Sequence, residues 1–571
     1  MIGPLRIGDR LLRSILRNGA VVLGVSILFQ CLGTLPALAQ ELSPSLPFAG
    51  EAGLGTQQAV SNASPHVSKY RGSERCDQCH FSASSRVFSD FVMLTEAREF
   101  LERDKHSQAA QLLNGARARQ IGLLLKMPDV AENQQCLSCH ANWKKGDERP
   151  PEWKKGVNCE ACHGPSAEWD VPHSARGWRL QTPTAKENLG LVDVRNSARK
   201  AEQCFSCHIG NAAEGKVVTH AMYAAGHPPL PGIEIESFAD QMPAHWRTLA
   251  EKGPFEHREA YLKVNSPQDI SGKTLSRTKG VVIGGLVALR ETLELIADQA
   301  RPESGEWPEL AAFDCQACHH ELRSPSWRQE RAPLAAPGRP TLPEWPFALV
   351  KPGLLQISAG DDKRHKTLQS EFFEHRQALY AAMQRQPFGE RAATRAAIEK
   401  FLNWLKPTLV ELEKSQFDVA AARRAELGLL SLDAGEFPDF YSARQLIWAL
   451  GVIREEIDLV TTPLQFSEIP VKESDTARRA RESLNIQKLL EWREQKFKPK
   501  RQNWVAEWNA PTGVLHLPLL LPAGPGKLDA DDVPDELIGN SLPGALGAIS
   551  HYDAVKFREK LKKLRDSHGD R

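Results

Sequence analysis

Five copies of Cys-x-x-Cys-His constrain this 571-residue chain more than any other feature of it. They fall at Cys76-Cys79-His80, Cys136-Cys139-His140, Cys159-Cys162-His163, Cys204-Cys207-His208 and Cys315-Cys318-His319, and they use ten of the eleven cysteines. A disulfide framework gives no reason for a histidine after every pair. Cys-x-x-Cys is also half of many zinc sites, yet a zinc shell does not require histidine as the next residue five times over. The pattern fits covalent attachment of c-type haem. Two thiols tether the porphyrin as thioethers, and the adjacent histidine reaches the iron from the proximal side. Five c-type haems are expected, with His80, His140, His163, His208 and His319 as proximal ligands.

Five irons need five further ligands unless a position stays open. Methionine is scarce: beyond residue 39 the chain has Met93, Met127, Met222, Met242 and Met383. Histidine is better supplied, with His66, His106, His173, His220, His227, His245, His257 and His320 lying outside the motifs but inside the motif-bearing region. Largely bis-histidine ligation is expected, with these eight as candidates for the five positions.

The eleventh cysteine, Cys31, lies in an N-terminal segment of a different kind. Arg6, Arg10, Arg13 and Arg17 precede an uncharged run from Asn18 to Gln40 that ends in the small-residue site Ala37-Leu38-Ala39. This reads as a secretory signal peptide over residues 1–39. The protein is therefore expected to be exported and periplasmic. Retention of the segment as a membrane anchor is the alternative, because the uncharged run is long enough to span a bilayer. Cleavage discards Cys31 and turns a formal charge of +1 into −2. That near-neutral balance gives no basic field for nucleic acid.

Residues 40–70 are rich in Ser, Pro, Gly and Ala and are expected to form a flexible leader. The motifs follow, and no cysteine occurs after residue 318. This asymmetry divides the chain into a pentahaem domain at 71–323, a Pro-rich extended linker at 324–353 and a helical C-terminal domain of unknown role at 354–571. Helical stripes include Leu286, Leu289, Leu293 and Ile296; Ile398, Leu402 and Leu405 before Pro407; and Phe557, Leu561 and Leu564 near the end. No alternation is sustained enough to predict a sheet.

The stretch GVNCEACHGPSAEW around Cys159, with the order and spacing of the first four motifs, resembles the tetraheme cytochrome c-554 family over about residues 70–230. THAMYAAGHPPL, MPAHW and WPELAAFDCQACHHEL resemble an extended branch carrying an added haem. The resemblance implies a mainly α multihaem cytochrome c fold with a haem-dominated core and long loops. It also implies specific ligand pairs: His106 with His163, His173 with His208, and His220 or His227 with His80. The second haem of the family has no protein sixth ligand, so the His140 site is expected to be open unless extra histidines close it. His245 is left for the fifth haem, at His319.

Two functional classes follow from these residues. Bis-histidine irons suit an electron carrier exchanging electrons with redox protein donors and acceptors. An open second site suits a redox enzyme acting on a small nitrogen or sulfur species, although Trp143, Lys144, Lys145 and Glu148 beside it read as a solvated loop. A docking scaffold built on the long motif-free half is a third possibility. The gap of 23 residues between Cys136 and Cys159 favours close approach of the second and third haems.

Overall fold

A computed structural model describes residues 68–81, 91–175, 177–305, 307–319, 339–431, 439–461, 507–509, 514–516 and 554–566. The chain divides into two compact units, Met1–His66 and Val67–Arg571, and all of the described residues lie in the second. The expected signal peptide and most of the leader, with His66 and His320, lie outside the described residues. Where the leader ends, Tyr70 is buried and Lys69 pairs with Asp147 at 2.8 Å. Among the described residues no helix is long and apolar enough to cross a membrane.

The fold is mainly α. Its first part consists of short helices: α1 (Ser73–His80), α2 (Glu96–Arg103), α3 (Ala116–Leu124), α4 (Gln134–His140), α5 (Cys159–His163), α6 (Pro183–Glu187), α7 (Ser197–His208), α8 (His220–Ala224), α9 (Ile235–Ala239) and α10 (Phe255–Asn265). Asn133, Asn158 and Asn196 cap α4, α5 and α7 by accepting from backbone N–H groups of the first turn. Asp314 does the same for the 3-10 turn Cys315–Ala317. A polar cap thus starts four of the five motifs, because the first-turn amides have no partner within the helix itself. Apart from α7 and α9, whose Ala201, Phe205 and Ile235 join the large core, apolar packing here is sparse, in small clusters such as Phe91, Tyr261 and Leu262.

The large core begins at α11 (Ser276–Gln299). Val282, Ile283, Leu286, Val287, Leu289 and Leu293 are all wholly buried, so from Gly280 to Leu289 this helix is apolar on every side. It packs against α7 and α9, and also against α12 (Val350–Ile357), α14 (Arg391–Lys414) and α16 (Phe440–Thr461). Close approach requires Gly285, where a Cβ would lie 2.4 Å from that of Leu349. Helices α13 (Asp362–Met383), α15 (Val419–Leu430) and α17 (Ala554–Asp566) complete the bundle. Phe557, Leu561 and Leu564 of α17 reach the same core as Phe205 of α7.

Among the described residues one apolar cluster runs from Ala198 to Leu564, across the expected boundary. The Pro-rich passage is not an extended surface linker where it is described. Leu342, Phe347, Leu349 and Val350 are buried, because apolar side chains between its prolines are drawn into the core. Pro407, expected to end or kink its helix, lies inside α14, which continues to Lys414. The missing N–H deprives only the carbonyl of Asn403, an exposed residue whose acceptor water can serve. A short antiparallel pairing, β1 (Glu507–Asn509) with β2 (Val514–His516), had no sequence signal.

Candidate functional site

Helical geometry explains the motif spacing. Residues i, i+3 and i+4 share one helix face, so both thiols and the histidine project together from the ends of α1, α4, α5 and α7. Among the described residues no three His, Cys, Asp or Glu side chains converge as a shell for a bare metal ion.

Four of the five motif histidines instead meet one histidine from elsewhere in the chain. His80 faces His173 with ring centroids 6.3 Å apart, and His208 faces His106 at 6.2 Å. His140 faces His227 at 6.5 Å, and His319 faces His220 at 6.3 Å. The remaining motif histidine, His163, has His245 as the charged neighbour that acts on it most, after burial itself. Two imidazoles trans on one metal, with bonds of about 2.0 Å and ring centres about 1.1 Å behind each nitrogen, set their centroids about 6.2 Å apart. The four measured separations match that gap. It is too wide for direct stacking and suits one iron between the rings.

The outer nitrogens support this geometry. Nδ1 of His80 lies 3.0 Å from Glu96 Oε2, and that of His106 lies 2.8 Å from Asp104 Oδ1. Nδ1 of His140, His227 and His245 meets the carbonyls of Ala109, Pro228 and Pro243 at 2.8, 2.7 and 3.1 Å, and that of His173 meets Asp170 O. A carboxylate or carbonyl only accepts, so Nδ1 must carry the proton and donate. Nε2 is then left with its lone pair facing the gap, the arrangement that fixes a metal-ligating histidine. Burial pushes His163 and His208 down to about 4, keeping both imidazoles neutral at pH 7. Burial also lowers His140 and His227. His80 moves upward because of its hydrogen bond to Glu96.

The pairs differ from those implied by the cytochrome c-554 resemblance. His106 faces His208 rather than His163, and His173 faces His80 rather than His208. His220 faces His319, His227 faces His140, and His245 lies by His163. The second site, expected to be open, has His227 across from it. The cause lies in the turn Gly226-His227-Pro228. His227 N donates to Met222 O at 2.9 Å, and the turn carries the chain back toward α4 after His220. The polar residues beside that site are also engaged: Trp143 Nε1 donates to Asp147 O at 3.0 Å and Lys144 pairs with Glu214 at 2.5 Å.

Contacts between motifs give their order in space. Cys76 lies beside Cys159, joining the first motif to the third. Cys162 feels Cys204 and Cys207, joining the third to the fourth. Cys139 lies beside Cys207, joining the fourth to the second. The fifth then follows through the segment that supplies both His220 and His227; Tyr223 lies 6.1 Å from His227 and senses Cys315. These contacts run in the order first, third, fourth, second, fifth. At the two ends Cys79, Cys315 and Cys318 are exposed, while the intervening cysteines are partly buried.

Sequence reasoning missed Glu160, a middle residue of the third motif. Its carboxylate is buried and accepts from Arg71 N at 2.9 Å, Gly72 N at 2.8 Å and Ser166 N at 2.8 Å. It thereby clamps the chain entering the first motif onto the third. An acid inside a tethering motif was the available signal.

The comparisons with known proteins bear on the same region. A family model described as cytochrome c554 and c-prime matches residues 75–164, which carry the first three motifs. The chain resembles that family. Cytochrome c-554 of Nitrosomonas europaea is 25% identical over 146 residues, 24% of this chain. The match covers 57% of that relative, so the chain spans little more than half of its length. No solved structure matches. With the motifs, this likeness supports a c-type cytochrome carrying haem iron.

Proposed function

We propose that the protein is an exported, periplasmic multihaem cytochrome that carries electrons between redox protein partners through five covalently bound haems. The observation that carries this reading is the pairing of motif and distal histidines at 6.2–6.5 Å. Cys76, Cys79, Cys136, Cys139, Cys159, Cys162, Cys204, Cys207, Cys315 and Cys318 would hold the porphyrins. His80 with His173, His140 with His227, His163 with His245, His208 with His106 and His319 with His220 would ligate the irons. Haem bound there supplies one-electron redox chemistry.

The chain's own residues prepare those positions. Carbonyl and carboxylate acceptors orient six of the ten rings, so that the ligating nitrogens need little rearrangement when charge changes. Ligation on both sides suits a carrier rather than an enzyme, because no coordination position is left for a substrate. His227 across from His140 removes the position that a redox enzyme at the second site needs. The exposed cysteines at the two ends of the motif order suit entry at one end and exit at the other.

A cyanide titration of the purified ferric protein tests this. Carriage through saturated irons expects an unchanged visible spectrum; a component that binds cyanide at submillimolar concentration would contradict it.

A further inference from the structure

A second constellation lies beside the third motif. Phe91 and Tyr261 pack edge to face at 5.4 Å, and cations surround the pair. Arg179 and Lys252 lie over Phe91 at 4.2 and 5.8 Å, while Arg195 and Lys186 lie over Tyr261 at 5.0 and 5.9 Å. Arg247 is close enough to act on Lys252. Lys186 is 6% exposed, and its ammonium donates to Asn265 Oδ1 at 2.6 Å. Lys252 donates to the carbonyl of Phe91 at 2.8 Å.

Little negative charge balances this group. Asp193 and Glu96 are the carboxylates that act on the two lysines. Asp193 is already taken by Arg195, through both oxygens at 2.8 and 3.0 Å. Glu96 is held by His80 and by the Met93 N–H. Burial and then the neighbouring arginines push Lys186 and Lys252 down to about 8. Lys186 is buried and Lys252 half-buried, with Arg179 and Arg195 exposed at the edge; a cation out of water is costly without a paired anion, so the cluster suits one that the chain itself does not supply.

Its position identifies the anion. Val192, one residue before Asp193, donates from its N–H to His163 O at 2.9 Å, and the charge of Asp193 reaches the His163 ring. Arg247 follows His245, on the other side of the same pair, by two positions. A haem carries two propionate carboxylates at one edge. We propose that this cluster binds the propionates of the haem attached at Cys159 and Cys162, an assignment that rests on the five-haem reading above.

The test is a potentiometric titration of the holoprotein as wild type, as the Lys186→Gln/Lys252→Gln double variant and as the Lys252→Arg variant, each with its haem count. Loss of two positive charges at the propionates disfavours the reduced state. The expected result is five haems in the glutamine variant with one couple lowered by at least tenfold in its equilibrium constant, about 59 mV for one electron. The arginine variant is expected to keep the wild-type value. If the double variant fails to mature, Lys252→Gln alone is titrated and the same outcomes decide. Five haems with every couple unmoved overturns the proposal. So does micromolar binding of inorganic phosphate to wild type that the glutamine variant loses, since the cluster would then serve an external anion. A wild-type count other than five overturns the five-haem reading instead.

Discussion

Asp104→Asn isolates the effect of a carboxylate behind His106, proposed above as a haem ligand. Asp104 is 2% exposed, and its Oδ1 accepts from both N and Nδ1 of His106 at 2.9 and 2.8 Å. Its Oδ2 is buried with no hydrogen-bond partner, so an amide nitrogen there disturbs nothing that the oxygen was holding. The substitution keeps the cap and the ring orientation and removes one negative charge. Adding the 2.8 Å hydrogen bond to the width of the ring and the metal bond puts that charge about 7 Å from an iron on Nε2. At an effective dielectric of about 20, the interaction is about 2.4 kcal/mol, or about 100 mV for one electron. Removing it disfavours the ferric state, so the potential must rise. Spectroelectrochemistry of wild type and variant is expected to find one couple, that of the haem at Cys204 and Cys207, raised by about 100 mV with four unmoved. A change below about 20 mV in every couple would refute the placement of this carboxylate behind a ligand.

The same residue gives a pH dependence. Burial pushes Asp104 upward, but its hydrogen bond to His106 and the charge of that ring outweigh burial and leave its carboxyl below the ordinary 3.8. A depressed folded-state value contributes stability that is present above pH 3.8 and lost as the pH falls through the lowered value. Denaturant unfolding is therefore expected to give a smaller loss between pH 5 and pH 3 in Asp104→Asn than in wild type; equal losses would contradict this. His227→Ala is expected to open the second site, producing a high-spin absorption band that added imidazole removes. Leu289→Ala, at a wholly buried position of α11, is expected to cost about 2–5 kcal/mol in a single transition. Two transitions, with only one displaced, would mean that the motif-bearing helices and the C-terminal bundle fold separately.

The contrast between what was and was not legible in sequence follows from chain distance. Thirteen histidines could be picked out, because five stand in a local motif and eight more stand in the same region; the resemblance narrowed those eight to five. Which ring faces which depends on where loops return. His220 and His227 are seven residues apart and face different motifs, because the turn at Gly226 redirects the chain between them. Helical stripes such as Leu286 to Ile296 were legible because period alone encodes burial. The apolar cluster that runs across the expected boundary was not, because cysteine distribution reports tethering chemistry and not packing. Leu342 and Val350 joined the core as apolar residues in a passage whose prolines drew attention first.

Low-temperature EPR of the ferric protein, with a haem count on the same sample, tests the central claim most directly. Ring planes are nearly parallel for His80 with His173 and His220 with His319, at 21° and 25°, and nearly perpendicular for His106 with His208 and His140 with His227, at 85° and 82°. Parallel imidazoles split the iron orbitals more than perpendicular ones. The expected result is five haems per chain, all low-spin, in both rhombic and strongly axial classes. A high-spin signal in the native protein, or a count other than five, would contradict it.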